Sequence, residues 1–446
     1  MCRLLPECRN FTLIRYEPGI RGQAGSAFDS MRIFVDGTES FWHPENRTGI
    51  QRVARELCRR CATRAPAGTE VIPVQFDGRS WGAYGGADGR THRAFFLARL
   101  AASRCRDWRR RSRTEWKASP IRLWLILTML GAWLGTALGS ICANLIRRVL
   151  AARPIPEMMR GDVLLMPEYP MQGWAPIEAA KAKGVRVVAV IHDCVPLTHP
   201  HFYLQDQLFK DHFEWSLANA EGLMTVSAFS EREIRARLPA GGPWVGHAHL
   251  GADFTRPVSS QRPRPELSAA FTRPCFLMVG TIAPHKNHHQ ALDAMERRWQ
   301  AGAEAHLLIA GKVGWQAEDI LDRIAKHAEL GRKLFVFHDL DDAELAYAYA
   351  QAHSLIAASY VEGFGLPLVE ALGCGLPVVA ADIPVFREIG GSAVDFFPLD
   401  DAVALADALA RVESEPRRRV EGWTWLSWDE SACLLLGAVR RRMITE

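Results

Sequence analysis

The sequence predicts an α/β fold made of two doubly wound domains, and three observations support this. The chain has 446 residues, which exceeds the size at which a single hydrophobic core normally stops growing. From Met31 onward, strand-like apolar runs alternate with helical patterns, as in parallel sheets built from β-α-β units. The runs fall into two sets separated by the stretch 253–271, where three prolines interrupt any periodicity. Each set therefore predicts one domain with a ligand crevice at the carboxyl ends of its strands.

The predicted elements follow one another in the order that two such domains require. The first set of strands is predicted at 31–35, 71–76, 162–166, 185–191 and 222–226. The second set is predicted at 275–280, 305–310, 333–337, 354–358 and 377–381. Helices are predicted at 49–63, 229–238, 288–300, 342–352 and 367–373, and a last one from Trp428 to Arg442. We therefore predict an N-terminal extension (1–30), an N-terminal domain (31–258), a C-terminal domain (259–427) and a terminal helical segment (428–446).

Composition and charge narrow the class of protein. With 48% hydrophobic and 23% charged residues, the chain is an ordinary globular protein rather than a disordered one. The net charge of +4 hides an asymmetry, because residues 1–250 carry 34 basic and 23 acidic side chains while the rest carry 20 and 27. A basic N-terminal half suggests an anionic neighbour such as a phospholipid surface, and the absence of a recognised module argues against nucleic acid. The lone Cys58-x-x-Cys61 lacks the second pair of a zinc site, so reduced cysteines are expected.

An insertion at about 100–155 within the N-terminal domain has the composition of a membrane-associated segment. Residues 123–146 contain no charge, and eight basic side chains lie in the preceding 104–122. The run 123–146 is long enough to span a bilayer, but a single crossing would place the strands before it and the strands after it on opposite sides of the membrane, although they belong to one sheet. We therefore predict a helix or hairpin that contacts the cytoplasmic face of the membrane through its basic flanks. The alternative is a helix buried against the N-terminal domain or a partner subunit.

The strongest chemical motif lies at residues 359–377. A buried strand runs into a loop containing Gly363 and Gly365, and Pro367 then opens a helix. The glycines allow the backbone to approach a ligand closely, and the helix start offers unpaired N–H groups to an anion. Glu362 and Glu370 bracket this loop, and an ionised carboxylate near the helix start suits a vicinal diol such as a ribose. The loop therefore predicts an anion-and-diol site, with solvated or capping glutamates as the plain alternative.

At these residues the sequence resembles the retaining glycosyltransferase family 4, typified by sucrose synthase, glycogen synthase and bacterial mannosyltransferases. Glu362 and Glu370, with seven residues between them, match the family's acidic signature. Further matches follow in family order at Thr48–Arg52, His192–Pro196, Thr225–Ser230, His249–Asp253 and Gly280–Asn287. The resemblance implies the GT-B fold, in which two Rossmann-like domains face each other and a C-terminal crossover helix returns to the first domain. It also implies transfer from a nucleotide-sugar with retention at the anomeric carbon, without a metal or other cofactor.

The resemblance also implies roles for particular residues. Glu362, His192 and Lys286 are expected to be catalytic: Glu362 holds the donor sugar, Lys286 the diphosphate, and His192 lies by the reaction centre. A positive group at the diphosphate is also required on chemical grounds, since negative charge develops on the leaving phosphate. Family members often carry an arginine at the position of Thr281, and Arg52 is a candidate substitute. The expected donor-binding residues are Gly49, Gly280, Thr281, Lys286, Glu362, Gly363, Phe364, Gly365, Leu366 and Glu370.

Other chemistries are disfavoured by the spacing of their ligands. His192, Asp193, His199 and His201 show no recognisable metal-ligand spacing, and no Gly-x-x-x-x-Gly-Lys-[Ser/Thr] motif exists. We therefore expect a glycosyltransferase that moves a hexose or deoxyhexose from a nucleotide-sugar to a lipid-linked or growing surface glycan. It would lie in the cytoplasm, peripherally on the inner face of the plasma membrane. There are two alternatives. One is another sugar-nucleotide enzyme of the same fold, such as an epimerase or hydrolase, and the other is a catalytically silent membrane-associated scaffold.

Overall fold

The computed structural model of the chain describes residues 31–42, 49–76, 80–84, 155–171, 173–203, 207–253, 263–415 and 419–445. The predicted N-terminal extension and the apolar stretch 123–146 lie outside these residues. Within them, two separate β-sheets with helices around them form the molecule. The α/β class with two doubly wound domains is therefore confirmed.

The N-terminal sheet contains seven of the described strands in the order β3-β2-β1-β4-β5-β6-β7. Their bounds are Met31–Asp36 (β1), Thr69–Phe76 (β2), Trp81–Ala83 (β3), Val163–Met166 (β4), Arg186–Ile191 (β5), Gly222–Thr225 (β6) and Trp244–His247 (β7). All neighbours pair in parallel except β3, which runs antiparallel to β2 at the edge. The strands β3 and β7 were not predicted, because each is too short to show a hydrophobic pattern.

The C-terminal sheet contains six described strands in the order β10-β9-β8-β11-β12-β13, all parallel. Their bounds are Cys275–Val279 (β8), His306–Ala310 (β9), Leu334–Phe337 (β10), Ser354–Ala357 (β11), Val378–Ala381 (β12) and Val394–Phe397 (β13). Helices cover both faces, which explains why β9 and β12 are buried at every position. Burying a Val, Leu or Ile side chain in these strands contributes about 1.5–3 kcal/mol.

The described helices lie between or after these strands, and all six predicted ones occur within a few residues of their expected positions. Their bounds are Thr38–Trp42 (α1), Gly49–Arg60 (α2), Ala175–Ala182 (α3), Val195–Thr198 (α4), Gln207–Asn219 (α5), Ala228–Arg235 (α6), Pro265–Ala269 (α7), His288–Gln300 (α8), Glu318–Ala325 (α9), Asp342–Gln351 (α10), Leu366–Gly373 (α11), Pro384–Gly390 (α12), Ala402–Ser414 (α13) and Trp428–Thr445 (α14). The short helix α7 lies inside the stretch expected to be linker, and it forms because Pro265 opens it and Leu267 is fully buried.

The last helix, α14, packs on the N-terminal domain, as the crossover expectation requires. The Asp429 carboxylate, in its first turn, pairs with Arg60 at 3.0 Å and with Arg64 at 2.6 Å. Near its end, the Arg186 guanidinium donates to the carbonyl of Met443 at 2.8 Å. The chain therefore crosses between the domains twice. The loop after β11 meets the end of β5 where Gly363 contacts His192, so the carboxyl ends of both sheets border one cleft.

Candidate active site

The loop between β11 and α11 carries the predicted motif and reaches across the cleft. Gly365 has a φ of +101°, a left-handed conformation that side-chain-bearing residues rarely adopt, and Leu366 and Pro367 then start α11. At Gly363, a Cβ would lie 2.1 Å from the carbonyl oxygen of His192. The close contact between the two domains therefore requires a glycine at position 363.

Two serines of the N-terminal domain hold the carbonyl of Gly363. The Ser227 hydroxyl donates to this oxygen at 2.7 Å and the Ser230 hydroxyl at 3.3 Å. Ser227 is also the N-cap of α6, where its side chain accepts a hydrogen bond from the backbone N–H of Ser230 at 3.1 Å. The Thr225–Ser230 motif therefore anchors the loop of the other domain.

A cavity lies on the C-terminal side of the cleft and is lined by four of the ten predicted donor-binding residues. Its lining includes Gly280, Lys286, His288, Glu362 and Gly365. Lys286 is placed there by a tight turn, Pro284–Lys286, that is followed by Asn287 in the left-handed region with a φ of +54°. Asparagine tolerates this conformation, and it also caps the start of α8. The short sequence from Pro284 to Asn287 therefore determines where the cation lies.

Lys286 and Glu362 form an ion pair inside this cavity. The same oxygen of Glu362 accepts a hydrogen bond from the Ser359 hydroxyl at 2.7 Å. Burial acts to raise the pKa of Glu362, but Lys286, His285 and the hydrogen bonds together outweigh it and hold the pKa below its ordinary value. Glu362 is therefore an ionised acceptor beside a cation, which suits a site that holds sugar hydroxyls next to a phosphate.

Glu370 is not among the residues that line the cavity; it lies on α11, one helical turn after Leu366. Its carboxylate is 2% exposed and accepts a hydrogen bond from the Tyr349 hydroxyl at 2.9 Å. The other oxygen forms an ion pair with Arg52, which belongs to α2 of the N-terminal domain. The structure thus pairs Arg52 with Glu370, whereas the sequence suggested Arg52 as a phosphate cation.

His192 lies at the end of β5, with 5% of its surface exposed. Its Nε2 is 2.8 Å from the carbonyl oxygen of Pro167, so Nε2 carries the proton because a carbonyl can only accept. Burial lowers the pKa of the ring, which is therefore neutral at pH 7 with Nδ1 as an acceptor. Asp193 accepts the N–H of Val195 at 2.9 Å and so shapes the turn into α4.

The remaining predicted donor residues lie in different surroundings. Gly49 begins α2, and a Cβ there would be 3.8 Å from Leu366, so the starts of α2 and α11 face each other across the cleft. The Phe364 ring is 4% exposed and packs among aromatic rings of the interface, which leaves only its backbone to face a donor. Thr281 lies on a loop that packs against Gly314, beside β8 and β9.

Two groups that the sequence did not single out help to join the domains or line the site. Glu388 of α12 accepts the backbone N–H groups of Ala228 and Phe229 at 2.7 and 2.8 Å, and its carboxylate is 2.8 Å from Nε2 of His249. His288 lines the cavity at the start of α8, and burial lowers its pKa to about 3. No local pattern could reveal Glu388, because its partners belong to the other domain.

Metal and membrane features can be assessed only for the described part of the chain. Among those residues, no group of three or more His, Cys, Asp or Glu side chains could hold a metal ion. The same residues contain no helix that is long and apolar enough to cross a membrane. The expectations of a metal-independent reaction and of peripheral membrane contact remain predictions.

Comparison with known sequences identifies the C-terminal domain. The family described as "Glycosyl transferases group 1" matches residues 260–421, a range that contains Lys286, Glu362 and Glu370. The serotype-specific mannosyltransferase WbdA of Escherichia coli is 36% identical over 291 residues, which are 61% of this chain and 35% of that protein. The O-antigen chain mannosyltransferase B of Escherichia coli is 30% identical over 220 residues, or 47% of this chain and 56% of that protein. The chain thus spans between a third and somewhat more than half of these relatives' lengths.

Solved structures identify the fold. A sucrose-phosphate synthase from Thermosynechococcus elongatus superposes with a TM-score of 0.56, at 16% identity, over 93% of this chain and 99% of its own. An α,α-trehalose-phosphate synthase from Burkholderia xenovorans gives a TM-score of 0.55, at 15% identity, over 93% and 100%. These likenesses confirm the predicted GT-B arrangement. Through residues 260–421 the chain carries a domain of the glycosyl transferases group 1 family, in agreement with the family that its sequence resembles.

Proposed function

We propose that this protein is a retaining glycosyltransferase that moves a hexose or deoxyhexose from a nucleotide-sugar to a growing or lipid-linked surface glycan. The observation that carries the proposal is the Lys286–Glu362 ion pair in a cavity at the carboxyl ends of the C-terminal strands. An ionised carboxylate next to a lysine is suited to hold sugar hydroxyls beside a diphosphate. The sequence relatives described as mannosyltransferases make nucleotide-activated mannose the first donor to test.

The proposed roles follow the geometry of the cleft. Lys286 stabilises the charge that develops on the leaving phosphate, and the Glu362 carboxylate accepts hydrogen bonds from hydroxyl groups of the donor sugar. Nδ1 of His192, the acceptor nitrogen of the neutral ring, serves as a further contact for the sugar. The backbone N–H groups at the start of α2, near Gly49, face the diphosphate, and the Glu370 carboxylate accepts hydrogen bonds from the ribose hydroxyls.

Retention follows from departure and attack on the same face of the sugar. In this scheme the bond from the anomeric carbon to the diphosphate oxygen breaks, and the acceptor hydroxyl oxygen bonds to the same face of that carbon. The hydroxyl proton passes to the leaving diphosphate. No step in this scheme requires a metal ion, and the protein's own groups supply charge and orientation.

The test is the rate of sugar transfer from nucleotide-activated mannose to a mannose-terminated or lipid-linked glycan. Lys286→Ala is expected to lower kcat by about 10²–10³-fold, as is typical when one electrostatic stabiliser is removed. Lys326→Ala is the matched control, since that lysine belongs to the same domain and its side chain is 75% exposed. Unchanged turnover of Lys286→Ala would overturn the assignment, and the anomeric configuration of the product, read by NMR, tests retention.

Two other readings of the same site predict different products. Incubation of the donor without acceptor would give rapid isomerisation or complete hydrolysis if the protein were an epimerase or a hydrolase. Binding of nucleoside diphosphate with no turnover on any glycan acceptor would identify a silent scaffold.

We also propose that the protein contacts the cytoplasmic face of the membrane peripherally through residues 104–146. The charge-free run 123–146 and its basic flank support this proposal. Flotation with liposomes containing anionic lipid tests it: deletion of 123–146 should abolish co-flotation. If the deleted protein still floats, the segment is not the anchor.

A further inference from the structure

The Glu370 carboxylate makes a contact that the proposed donor must disturb. It is almost fully buried, with one oxygen bonded to Tyr349 and the other paired with Arg52 of the opposite domain. A ribose can use this carboxylate only by sharing or replacing those donors. Tyr349 is buried within the same domain, whereas the Arg52 side chain is 32% exposed at the cleft. Arg52 is therefore the partner that can leave.

Arg52 lies where the donor phosphates are expected. It is three residues after Gly49, at the start of α2, and that start faces the start of α11 near Leu366. Among the described residues that line the cavity, Lys286 is the one lysine or arginine, so a diphosphate there would lack a second cation. A guanidinium can pair with two phosphate oxygens as readily as with a carboxylate.

We propose that Arg52 exchanges partners when the donor binds. Before binding, it occupies the carboxylate of Glu370 and links the two domains. On binding, the ribose hydroxyls donate to Glu370, and the displaced guanidinium pairs with the diphosphate. The anionic donor therefore provides the new partner that makes the exchange favourable, while a nucleoside without phosphates does not. This inference rests on the proposed function and assigns Arg52 as a residue that selects for phosphorylated nucleotides.

The exchange predicts opposite effects on two related ligands. In Arg52→Gln, Glu370 is no longer occupied by a cation, so a nucleoside should bind several-fold more tightly. The same substitution removes a phosphate partner, so the nucleoside diphosphate should bind about tenfold more weakly. If Arg52 had only a structural role, Arg52→Gln would change the affinities for nucleoside and nucleoside diphosphate in the same direction and to the same extent. If Arg52 only blocked the ribose site, the variant would bind both ligands more tightly.

The experiment is isothermal titration of the full-length protein with GDP and guanosine, and with UDP and uridine. Arg59→Gln is the control, because Arg59 lies on the same helix with its side chain 66% exposed. Arg52→Lys, which keeps the charge, should retain diphosphate affinity within a few-fold. Equal changes for nucleoside and nucleoside diphosphate in Arg52→Gln would overturn the exchange. If the unaltered protein binds neither diphosphate, the proposed function itself fails.

Discussion

Replacing Glu168 with glutamine is expected to flatten the pH dependence of stability. Glu168 follows β4 and is 7% exposed, with the backbone N–H of Ser40 donating to its carboxylate at 2.8 Å. Burial raises its pKa from 4.5 to about 7, against the lowering effect of the Ser40 hydrogen bonds. Because the folded-state pKa is raised, the folded protein holds this proton more tightly than the unfolded chain does. Stability from this group is therefore present in full below pH 4.5 and is lost as the pH rises through about 7.

The magnitude follows from the size of the shift. The separation between 4.5 and about 7 corresponds to about 3 kcal/mol in the free energy of unfolding, of which about 2 kcal/mol is lost between pH 5 and pH 7. Asp36, whose pKa burial raises to about 6, adds a loss of the same sign. Glutamine resembles the protonated acid in shape and hydrogen bonding, so Glu168→Gln should keep its stability over this range.

The assay is urea unfolding at pH 5, 6, 7 and 8, comparing the unaltered protein with Glu168→Gln. The free-energy difference between the two should grow in favour of the variant by about 2 kcal/mol from pH 5 to pH 7. Glu178→Gln, at an exposed position on α3, controls for the loss of one carboxylate and should show no such trend. A difference that stays constant with pH would show that Glu168 titrates normally and would refute the reasoning.

Two further substitutions test the contact between the two domains, and a third tests a buried histidine of the N-terminal domain. Gly363→Ala places a methyl group against the His192 carbonyl and should lower the free energy of unfolding by about 1–3 kcal/mol. Thermal unfolding measures this loss, and the KM for the donor should rise. An unchanged Tm would contradict the close approach of the two domains at Gly363. Glu388→Gln weakens the contacts at the start of α6 and should lower the free energy of unfolding by about 1.5–3 kcal/mol at pH 7. Burial acts to raise the pKa of Glu388, but His249 and the backbone N–H groups outweigh burial and lower this pKa. The stability lost in the variant should therefore become smaller in acid. His212 is fully buried, and among the described residues neither of its ring nitrogens has a hydrogen-bond partner. Burial lowers the pKa of His212 to about 3, so the unaltered protein should lose about 2 kcal/mol of unfolding free energy through this group between pH 7 and pH 5. His212→Phe should not show this loss. Identical pH profiles of stability for the two proteins would exclude the prediction.

The fold was predictable from the sequence because its signals are local. Long buried parallel strands appear as continuous apolar runs, and helices between them appear as periodic patterns. Strands such as β7 and β13 were missed because four residues that include polar ones carry no such signal. Gly365 and Pro367 predicted the start of α11 because the conformational preferences of glycine and proline are also local signals.

The site was predictable only in part. Lys286 and Glu362 were identified separately, and the structure brings them into one ion pair. The partnership of Arg52 with Glu370, and the position of Glu388 at the start of α6, involve residues 318 and 160 positions apart. No local pattern encodes such pairs, because they form only when the domains meet.

The sequence by itself determined the two-domain fold, the glycine-containing loop and the types of charged groups around it, since these depend on local conformation and hydrophobic periodicity. The tertiary structure decided which charges meet. Burial and proximity pair Glu362 with Lys286 inside the C-terminal domain and Glu370 with Arg52 across the cleft, and they leave His192 neutral. These outcomes depend on desolvation and on distances between chain segments, which are set by how the two sheets face each other.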